Sequence, residues 1–380
     1  LIFGSGFVAA EAGGDGGRGR GRRCGATSFG MLGIRRASRE GAASFDVAVK
    51  KCGQTKQWGA ALQMLRQGIQ LGVKPFPGTY IATISACRKC GQWQRALSLL
   101  SEMCESEIEP NVISYSAGIS VCEKGGQWQQ ALSLLSEMQE ARMEPDVIIY
   151  SAGISACEKG EQWQRALALL NVMWEMKVEP NVFSYNSGIS ACGKCEQWQR
   201  ALALLSEMWE AKLMPNVISY GAGISACEKG DQWQRALALL SEMWEAKLQP
   251  NVIFCYSAGI SACEKGEQWQ QALALLSEMR DVKLQPNVIS YNSGISACGK
   301  SEQWQRALAL LREMCEATLM PNVISCSAGI SACEKGDQWH RALALLSEMQ
   351  EAKLKPDVMS TAPGSARAGR VSSGSGLWCC

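Results

Sequence analysis

The amino-acid sequence predicts an all-α solenoid built from stacked helical hairpins. About nine consecutive segments each contain two apolar stripes with the spacing of an amphipathic helix. A glycine separates the two stripes, and a proline follows the second. The prolines recur every 35 residues, with one step of 36, at Pro75, Pro110, Pro145, Pro180, Pro215, Pro250, Pro286, Pro321 and Pro356.

Units that begin two residues after each proline divide the repetitive region into nine. Residues 42–76 are a degenerate first unit. The eight regular units, which occupy 77–357, have predicted bounds of 77–111, 112–146, 147–181, 182–216, 217–251, 252–287, 288–322 and 323–357. Unit 252–287 carries an extra residue in Phe254–Cys255, which would shift Ser257 by one position.

Unit 217–251 shows why each half is expected to form a helix. Its first half places Tyr220, Ile224 and Cys227 on one helical face, and Gly230 then ends the pattern. Its second half ends before Pro250, which cannot continue a helix. The apolar stripe of the second half consists of Trp233, Ala236, Leu237, Leu240, Met243 and Trp244. Neither helix can bury its stripe alone, so stacked neighbours must complete the core.

Small residues recur at matching positions of the units. An alanine, Ala236 in unit 217–251, is expected where the second helix approaches the first. A glycine in the first helix, such as Gly188, costs about 1 kcal/mol relative to alanine, and close approach of a neighbouring helix would explain it. One cysteine per unit is expected to be a core residue, because equivalent sites of stacked helices lie about 8–10 Å apart and are out of disulfide reach. These cysteines are Cys52, Cys87, Cys122, Cys157, Cys192, Cys227, Cys263, Cys298 and Cys333.

The two ends of the chain differ from the repeats in composition and charge. Residues 1–41 are rich in glycine and arginine and carry a net charge of +4, and residues 358–380 carry +2. Both ends are predicted to be disordered, and the arginine-rich first segment also fits the remnant of a transit peptide. Residues 42–357 carry −4, which argues against binding a polyanion by charge alone.

Sequence motifs for catalysis or metal binding are missing, and the sequence predicts no enzyme activity, no cofactor and no metal. His340 is the only histidine, which excludes almost every histidine-dependent chemistry. Two Cys-x-x-Cys pairs, which begin at Cys87 and Cys192, are three units apart and cannot share a zinc ion. No phosphate-binding G-x-x-x-x-G-K-[ST] motif and no G-x-S-x-G motif occurs. No apolar stretch approaches the roughly 20 residues of a membrane-spanning helix.

Unit 112–146 has a set of residues at characteristic positions of its 35: Tyr115, Lys124, Ala131-Leu132, Glu137-Met138 and Pro145-Asp146. With these residues the repeats resemble those of the pentatricopeptide repeat family, whose unit is a hairpin of 35 residues. The resemblance covers 42–357. The period of 35 residues differs from that of the tetratricopeptide repeat, which is 34 residues. Two features depart from the family pattern, namely the recurring Gln-Trp dipeptide, as in Gln162-Trp163, and the glycine in the first helix.

The resemblance implies binding of single-stranded RNA, with about one base recognised per repeat. In the family, the fifth and last residues of a unit select the base, and the apolar second residue packs against it. The fifth residues here are Ile81, Ser116, Ser151, Asn186, Gly221, Ser257, Asn292 and Ser327. The last residues are Asn111, Asp146, Asn181, Asn216, Asn251, Asn287, Asn322 and Asp357. The second residues are Ile113, Ile148, Phe183, Ile218, Ile253, Ile289 and Ile324.

The family's pairing preferences convert these residues into an expected RNA sequence. A small hydroxyl as the fifth residue favours guanine when the last residue is aspartate, and adenine when it is asparagine. Two asparagines favour a pyrimidine, Y. The units from residue 112 onward are thereby expected to bind 5′-G-A-Y-(A)-A-Y-G-3′. The fourth base is expected to be selected weakly because Gly221 has no side chain, and Ile81 leaves its unit without a prediction.

A lysine near the end of the first helix has two interpretations. It can contact an RNA phosphate, which would make the affinity dependent on salt. Alternatively, it stabilises the C-terminus of its helix by about 0.3–1 kcal/mol. The lysines are Lys89, Lys124, Lys159, Lys194, Lys229, Lys265, Lys300 and Lys335.

The resemblance further implies a place in a mitochondrion or plastid. The implied role is processing, stabilisation or translation of a transcript, with a recruited RNA-processing enzyme as a further partner. The alternative is a scaffold that binds a protein or peptide in the same groove, which the negative charge of 42–357 favours. A third interpretation is a fragment, since the chain begins with Leu1 and an effector domain would then belong to a longer protein.

Overall fold

The predicted all-α architecture is confirmed in the computed structural model of the chain. The structure describes residues 47–49, 51, 57–70, 75–106, 108–248 and 253–351. Seventeen helices run from Trp58 to Glu351, and the described residues contain no strand. The ends that are predicted to be disordered, 1–41 and 358–380, lie outside the described residues.

Each regular unit contributes a first and a second helix, and the degenerate unit contributes a second helix, α1. The first helices are α2 (Pro77–Lys89), α4 (Val112–Gly125), α6 (Val147–Lys159), α8 (Val182–Lys194), α10 (Val217–Lys229), α12 (Ile253–Lys265), α14 (Val288–Lys300) and α16 (Val323–Lys335). The second helices are α1 (Trp58–Gln70), α3 (Trp93–Glu105), α5 (Trp128–Glu140), α7 (Trp163–Glu175), α9 (Trp198–Glu210), α11 (Trp233–Glu245), α13 (Trp269–Asp281), α15 (Trp304–Glu316) and α17 (Trp339–Glu351).

The stacking of the units curves the solenoid. Each first helix packs against its own second helix and against the first helices of the adjacent units. A second helix also contacts the first helix of the next unit, but no Cα atoms of two described second helices lie within 8 Å of each other. First helices are therefore crowded together while second helices spread apart. This difference bends the stack so that the first helices line its inner, concave face.

The hydrophobic core runs between the two layers of helices as a nearly continuous cluster. Tyr220, Ile224 and Cys227 of the first-helix stripe are fully buried, as predicted. The prediction for Trp244 is wrong, because this side chain is 36% exposed, whereas Leu239, outside the predicted stripe, is buried. A second helix faces the first helices of two units, so its buried surface is rotated and broadened relative to a stripe drawn for one partner.

The glycine within the first helix marks a close approach between helices, as expected. A Cβ on Gly188 would lie 2.9 Å from Leu170 Cδ1 and 3.2 Å from Leu204 Cδ1. Leu170 belongs to α7 of the preceding unit and Leu204 to α9 of the same unit. Two leucine side chains therefore interlock over the glycine, and this packing offsets its poor helix propensity.

The recurring tryptophan explains the glycine that ends the first helix. Helix α10 ends at Lys229, and its C-cap Gly230 has a φ of −86°, so the backbone there does not require glycine. Trp198, from the start of α9 in the preceding unit, lies against Gly230, and a Cβ would come within 2.7 Å of its Cγ. The left-handed residue of the turn is instead Asp231, with a φ of 56°. The Gln-Trp departure from the family pattern thus packs adjacent units together.

The core cysteines are buried free thiols, as predicted. Cys52 lies outside the described residues. Desolvation raises the pKa of the Cys227 thiol to about 11 and that of Cys263 to the same value. The predicted core cysteines found as buried free thiols are Cys87, Cys122, Cys157, Cys192, Cys227, Cys263, Cys298 and Cys333.

We expect iodoacetamide at about pH 8 to alkylate Cys315 in the folded protein and to leave Cys227 and Cys263 unmodified. Cys315 is exposed, whereas burial removes both access and the reactive thiolate at the other two sites. Peptide mass spectrometry measures each site, and in denaturant all three thiols should react at similar rates. Native labelling of Cys227 at the rate of Cys315 would contradict this core.

Candidate nucleic-acid interface

The second residues of the units form an exposed apolar row on the inner face. Ile148 is 69% exposed and Phe183 is 52% exposed, although both lie in regular helices next to buried positions. Six members of the row occupy the predicted positions: Ile113, Ile148, Phe183, Ile218, Ile289 and Ile324. A row of this kind offers apolar surface to a ligand that lies along the groove.

The extra residue of unit 252–287 lies ahead of its first helix. Helix α12 begins at Ile253, so Phe254, 56% exposed, takes the position of the second residue and Ile253 that of the first. The assignment of Ile253 to the apolar row is therefore wrong. Ser257 keeps the register of a fifth residue, because its Oγ lies 2.8 Å from Ser290 Oγ, a contact that fifth residues make elsewhere.

Where the structure describes it, the last residue of a unit is the N-cap of the next first helix. Asn181 Oδ1 accepts a hydrogen bond from the backbone N–H of Ser184 at 2.9 Å, and Asp146 Oδ1 accepts one from Ile149 at 2.9 Å. Such oxygens satisfy a free N–H group of the first helical turn. The same cap is made by Asn111, Asn216, Asn287 and Asn322. Asn251 and Asp357 lie outside the described residues.

Capping leaves one polar group of each last residue for a ligand. Asn181 uses its Oδ1 in the cap, whereas its Nδ2 amide group makes no hydrogen bond with a described residue. Asp146 also caps with Oδ1, and its remaining Oδ2 is likewise unbonded among the described residues. Both side chains are exposed. Asparagine therefore presents a hydrogen-bond donor, and aspartate presents an acceptor.

The fifth residue lies directly beside the last residue of its own unit. Asn186 Nδ2 donates to Asn216 Oδ1 at 3.4 Å, and Ser219 Oγ of the following unit donates to Asn186 Oδ1 at 2.6 Å. The same geometry recurs at Asn292 in unit 288–322. Asn186 is only 9% exposed, so the fifth residue lies beneath the surface rather than projecting from it. The structure thus joins the two predicted base-selecting residues in one hydrogen-bond network.

Serine as the fifth residue enters the same network. Ser151 Oγ donates to Val147 O at 2.6 Å and lies 2.7 Å from Ser184 Oγ, which is 3.0 Å from Asn181 Oδ1. Other fifth residues make different contacts, because the third residue of the following unit is not always a serine.

Two fifth residues lack a bridging serine. In the unit after that of Ser116, the third residue is Ile149, and the Ser116 hydroxyl makes no hydrogen bond with a described residue. In the unit after that of Gly221, Cys255 takes the place of the bridging serine, and a Cβ on Gly221 would lie 3.1 Å from Cys255 Sγ. Ser327 is half-buried. The groove is therefore chemically uneven, with an apolar gap at Gly221.

The bridging serines are site residues that sequence reasoning missed. They are the third residues of their units, and they were overlooked because a small polar residue in a helix carries little signal by itself. The available signal is their place three residues after an N-cap asparagine, the spacing of a reciprocal capping motif. The residues are Ser184, Ser219, Ser290 and Ser325.

We expect Ser219→Ala to destabilise the array by about 1–2 kcal/mol. The substitution leaves the buried Asn186 Oδ1 without its donor and removes the hydrogen bond that the Asn216 N–H donates to Ser219 Oγ. The shift in the urea unfolding midpoint measures this loss. Ser206→Ala is the matched control, since that exposed hydroxyl donates only to Leu202 O of its own helix. Equal midpoints for the two variants would show that the bridge carries no stability.

A concavity of about 380 Å³ gathers site residues from consecutive units. Its lining includes Ile148 of the apolar row, the fifth residues Ser116 and Ser151, and the capping residue Asn181. Glu123 also lines it, from the C-terminal turn of α4. Residues that are far apart in the sequence thus share one continuous surface.

The recurring lysines lie in the last turn of the first helices, at one edge of this face. Their side chains are exposed, apart from Lys300, which is half-buried. The lysines predicted to contact phosphate are Lys124, Lys159, Lys194, Lys229, Lys265, Lys300 and Lys335. Stabilisation of the helix terminus and contact with a ligand are both compatible with this placement.

Within the described ranges, no group of three or more histidine, cysteine or acidic side chains is arranged to hold a metal ion. Within the same ranges, no helix has both the length and the apolar character needed to cross a bilayer.

The described residues form stacked helical hairpins with hydrogen-bonded polar side chains along the inner face, so the chain is a helical-repeat protein. Three family models match it and together cover 62–354. They are the pentatricopeptide repeat domain over 62–125, 133–195 and 238–301, the PPR repeat family over 180–229 and 286–335, and the PPR repeat over 113–143, 218–248 and 325–354. The chain belongs to the pentatricopeptide repeat family. No curated protein matches it.

Solved structures of pentatricopeptide repeat proteins have the same fold. The protein PPR10 in complex with an 18-nt psaJ RNA element superposes with a TM-score of 0.68 at 18% identity, covering 87% of this chain and 53% of that one. PPR10 from maize gives a TM-score of 0.53 at 21% identity, with 86% and 53% covered. The chain therefore spans about half the length of these two structures.

Proposed function

We propose that the inner face of the solenoid binds single-stranded RNA with one base per repeat. The observation that carries the proposal is the network in which Asn186, Asn216 and Ser219 join the fifth and last residues of one unit. This network holds the outer polar group of the last residue beside an exposed apolar second residue. A base that stacks on the apolar side chain would present its Watson–Crick edge to that group. The RNA complex of PPR10, which shares this fold, supports the proposal.

The polarity of the last residue supplies a physical basis for base choice. Adenine presents an acceptor at its ring nitrogen N1, and guanine presents a donor there. The free amide of Asn181 matches adenine, whereas the free carboxylate oxygen of Asp146 matches guanine. Together with the pairing preferences that the family resemblance implies for an asparagine fifth residue, this polarity supports the proposed target sequence 5′-G-A-Y-N-A-Y-G-3′, in which the unit of Gly221 selects its base weakly.

We propose that the protein acts without catalysis of its own. Binding would protect or remodel a transcript in a mitochondrion or plastid, or recruit an RNA-processing enzyme to it. Family membership is what supports this role and location.

The alternative of a protein-binding scaffold has less support. Three tryptophans on consecutive second helices, Trp174, Trp209 and Trp244, are partly exposed and could mark a docking face. The indole N–H of Trp244 is used within the fold, however, because Nε1 donates to Tyr256 OH of the next unit at 3.1 Å. Burial raises the pKa of Tyr185 and of Tyr220, and the neighbouring Trp174 and Trp209 oppose that rise, so these two indoles also lie beside a tyrosine of the next unit. Packing between units accounts for the positions of these three tryptophans.

Selection of bound sequences from a random RNA pool by the full chain tests the proposal. We expect enrichment of a motif near G-A-Y-N-A-Y-G, with the fourth base selected weakly. A chain that binds no RNA at low salt would refute RNA binding and direct attention to protein partners. Binding without an enriched motif would refute base-by-base recognition.

A further inference from the structure

A line of ion pairs runs along the groove between consecutive units. Lys159 Nζ lies 3.1 Å from Glu123 Oε1, and Lys194 Nζ lies 3.2 Å from Glu158 Oε1. In each pair the glutamate belongs to the preceding unit and immediately precedes that unit's own lysine. Glu123 lines the concavity described above, so these pairs border the surface proposed to bind RNA.

Two further lysines, Lys265 and Lys300, also contact acidic residues of the preceding unit. Lys300 Nζ lies 3.3 Å from Glu264 Oε1. Lys265 Nζ donates to Glu228 O at 3.0 Å and lies 4.0 Å from Asp231 Oδ1. Each of these lysines therefore already has an acidic side chain of the preceding unit beside it.

The line of ion pairs is interrupted in every third unit. At the position of the glutamate, the chain has Arg88, Gly193 and Gly299. The lysines of the units that follow are Lys124, Lys229 and Lys335. None of these three makes an ion pair or hydrogen bond with a described residue, and all three are exposed. Glu196 and Glu302 occupy the position of Asp231 but come within 4.0 Å of no lysine.

The first interruption also reverses the sign of the charge. Arg88 takes the place of a glutamate and donates from Nη1 to Ser120 Oγ at 2.9 Å. Its Nε is buried without a hydrogen-bond partner among the described residues, and the side chain lines the same concavity. The groove near Lys124 therefore contains two positively charged side chains, Arg88 and Lys124. At the position that Arg88 occupies, no glutamate is present to pair with Lys124.

We propose that contacts to the RNA backbone are concentrated on Lys124, Lys229 and Lys335, one in every third repeat. The proposal rests on the proposed RNA-binding function. A phosphate that approaches Lys159 or Lys194 also approaches the partner carboxylate, whose repulsion offsets the attraction. At the three unpaired lysines no carboxylate is in contact, so the full charge acts on the phosphate. The bound strand is thus anchored every third nucleotide and held mainly by its bases in between.

The salt dependence of RNA affinity separates the two kinds of lysine. We expect the triple variant K124Q/K229Q/K335Q of the full chain to lower the slope of log Kd against log salt by about 2, since each phosphate contact in a single strand contributes about 0.7. The affinity at about 0.1 M salt should fall 10- to 100-fold. The matched variant K159Q/K194Q/K300Q should change the slope by less than half as much. The probe is one RNA that contains G-A-Y-N-A-Y-G.

A gain of affinity provides the second arm of the test. The variant E123Q/E158Q/E264Q releases the three paired lysines, and we expect it to bind the same RNA more tightly and with a steeper salt dependence. If the two lysine variants weaken binding equally, or if the glutamine variant gains nothing, the inference is overturned while RNA binding stands. If the unaltered chain binds no RNA at low salt, the proposed function fails and the inference falls with it.

Discussion

Replacing Asn181 with aspartate is expected to change the preference for one RNA base from adenine to guanine. Asparagine caps helix α8 through Oδ1 and leaves an amide donor, whereas aspartate can make the same cap and leave an acceptor. The fold should therefore be unchanged while the polarity towards the base is reversed. A hydrogen-bond mismatch of this kind costs about 1–3 kcal/mol, so the ratio of affinities for the two bases should move by about 10- to 100-fold.

Competition binding with two RNAs that differ only at the second base of the proposed motif measures this change. The reciprocal variant Asp146→Asn is the internal control, because Asp146 makes the equivalent cap one unit earlier. It should change the preference at the first base from guanine to adenine and leave the second base untouched. If either variant alters the affinity for both RNAs equally, the last residue caps the helix without selecting a base.

Replacing Ala236 with leucine is expected to destabilise the array by about 2 kcal/mol or more. Ala236 is fully buried where α11 meets α10, and the three additional carbon atoms have no space in a packed core. Because a solenoid derives its stability from interfaces between neighbours, the displacement weakens contacts with adjacent units as well. Thermal unfolding followed by circular dichroism should show a midpoint lowered by several degrees.

Ala238→Leu is the control for this substitution. Ala238 lies two residues further along the same helix but is exposed, and alanine and leucine have similar helix propensities. This variant should unfold within about 0.5 kcal/mol of the unaltered protein. If Ala238→Leu were as damaging as Ala236→Leu, the burial assigned to the two faces of α11 would be wrong.

The family and the fold of the protein are established, whereas its function is proposed. The family and the solenoid fold are established by the matches over 62–354 and by the helical hairpins themselves. The choice of RNA sequence, the spacing of phosphate contacts and the cellular role are proposals. For the RNA sequence and the phosphate contacts, the binding measurements described above can reject the proposal without rejecting the fold.

The sequence by itself determined the helical hairpins and the buried stripe of the first helices, both of which depend on local spacing. The proline period predicted the hairpins, and the apolar stripes predicted buried Tyr220, Ile224 and Cys227, because these positions follow from the 3.6-residue turn of a helix. The positions of fifth and last residues could also be read directly. Their combined role came from the family resemblance, since no local pattern connects residues 30 positions apart.

Tertiary structure decided which residues of different units meet. Ser219 bonds to Asn186 across 33 positions, and Lys159 pairs with Glu123 across 36. The exposure of Trp244 and the register of Phe254 were likewise settled by packing. These contacts depend on the rotation and offset between successive units. That geometry arises when two apolar faces interlock, and the periodicity of a single chain segment does not contain it.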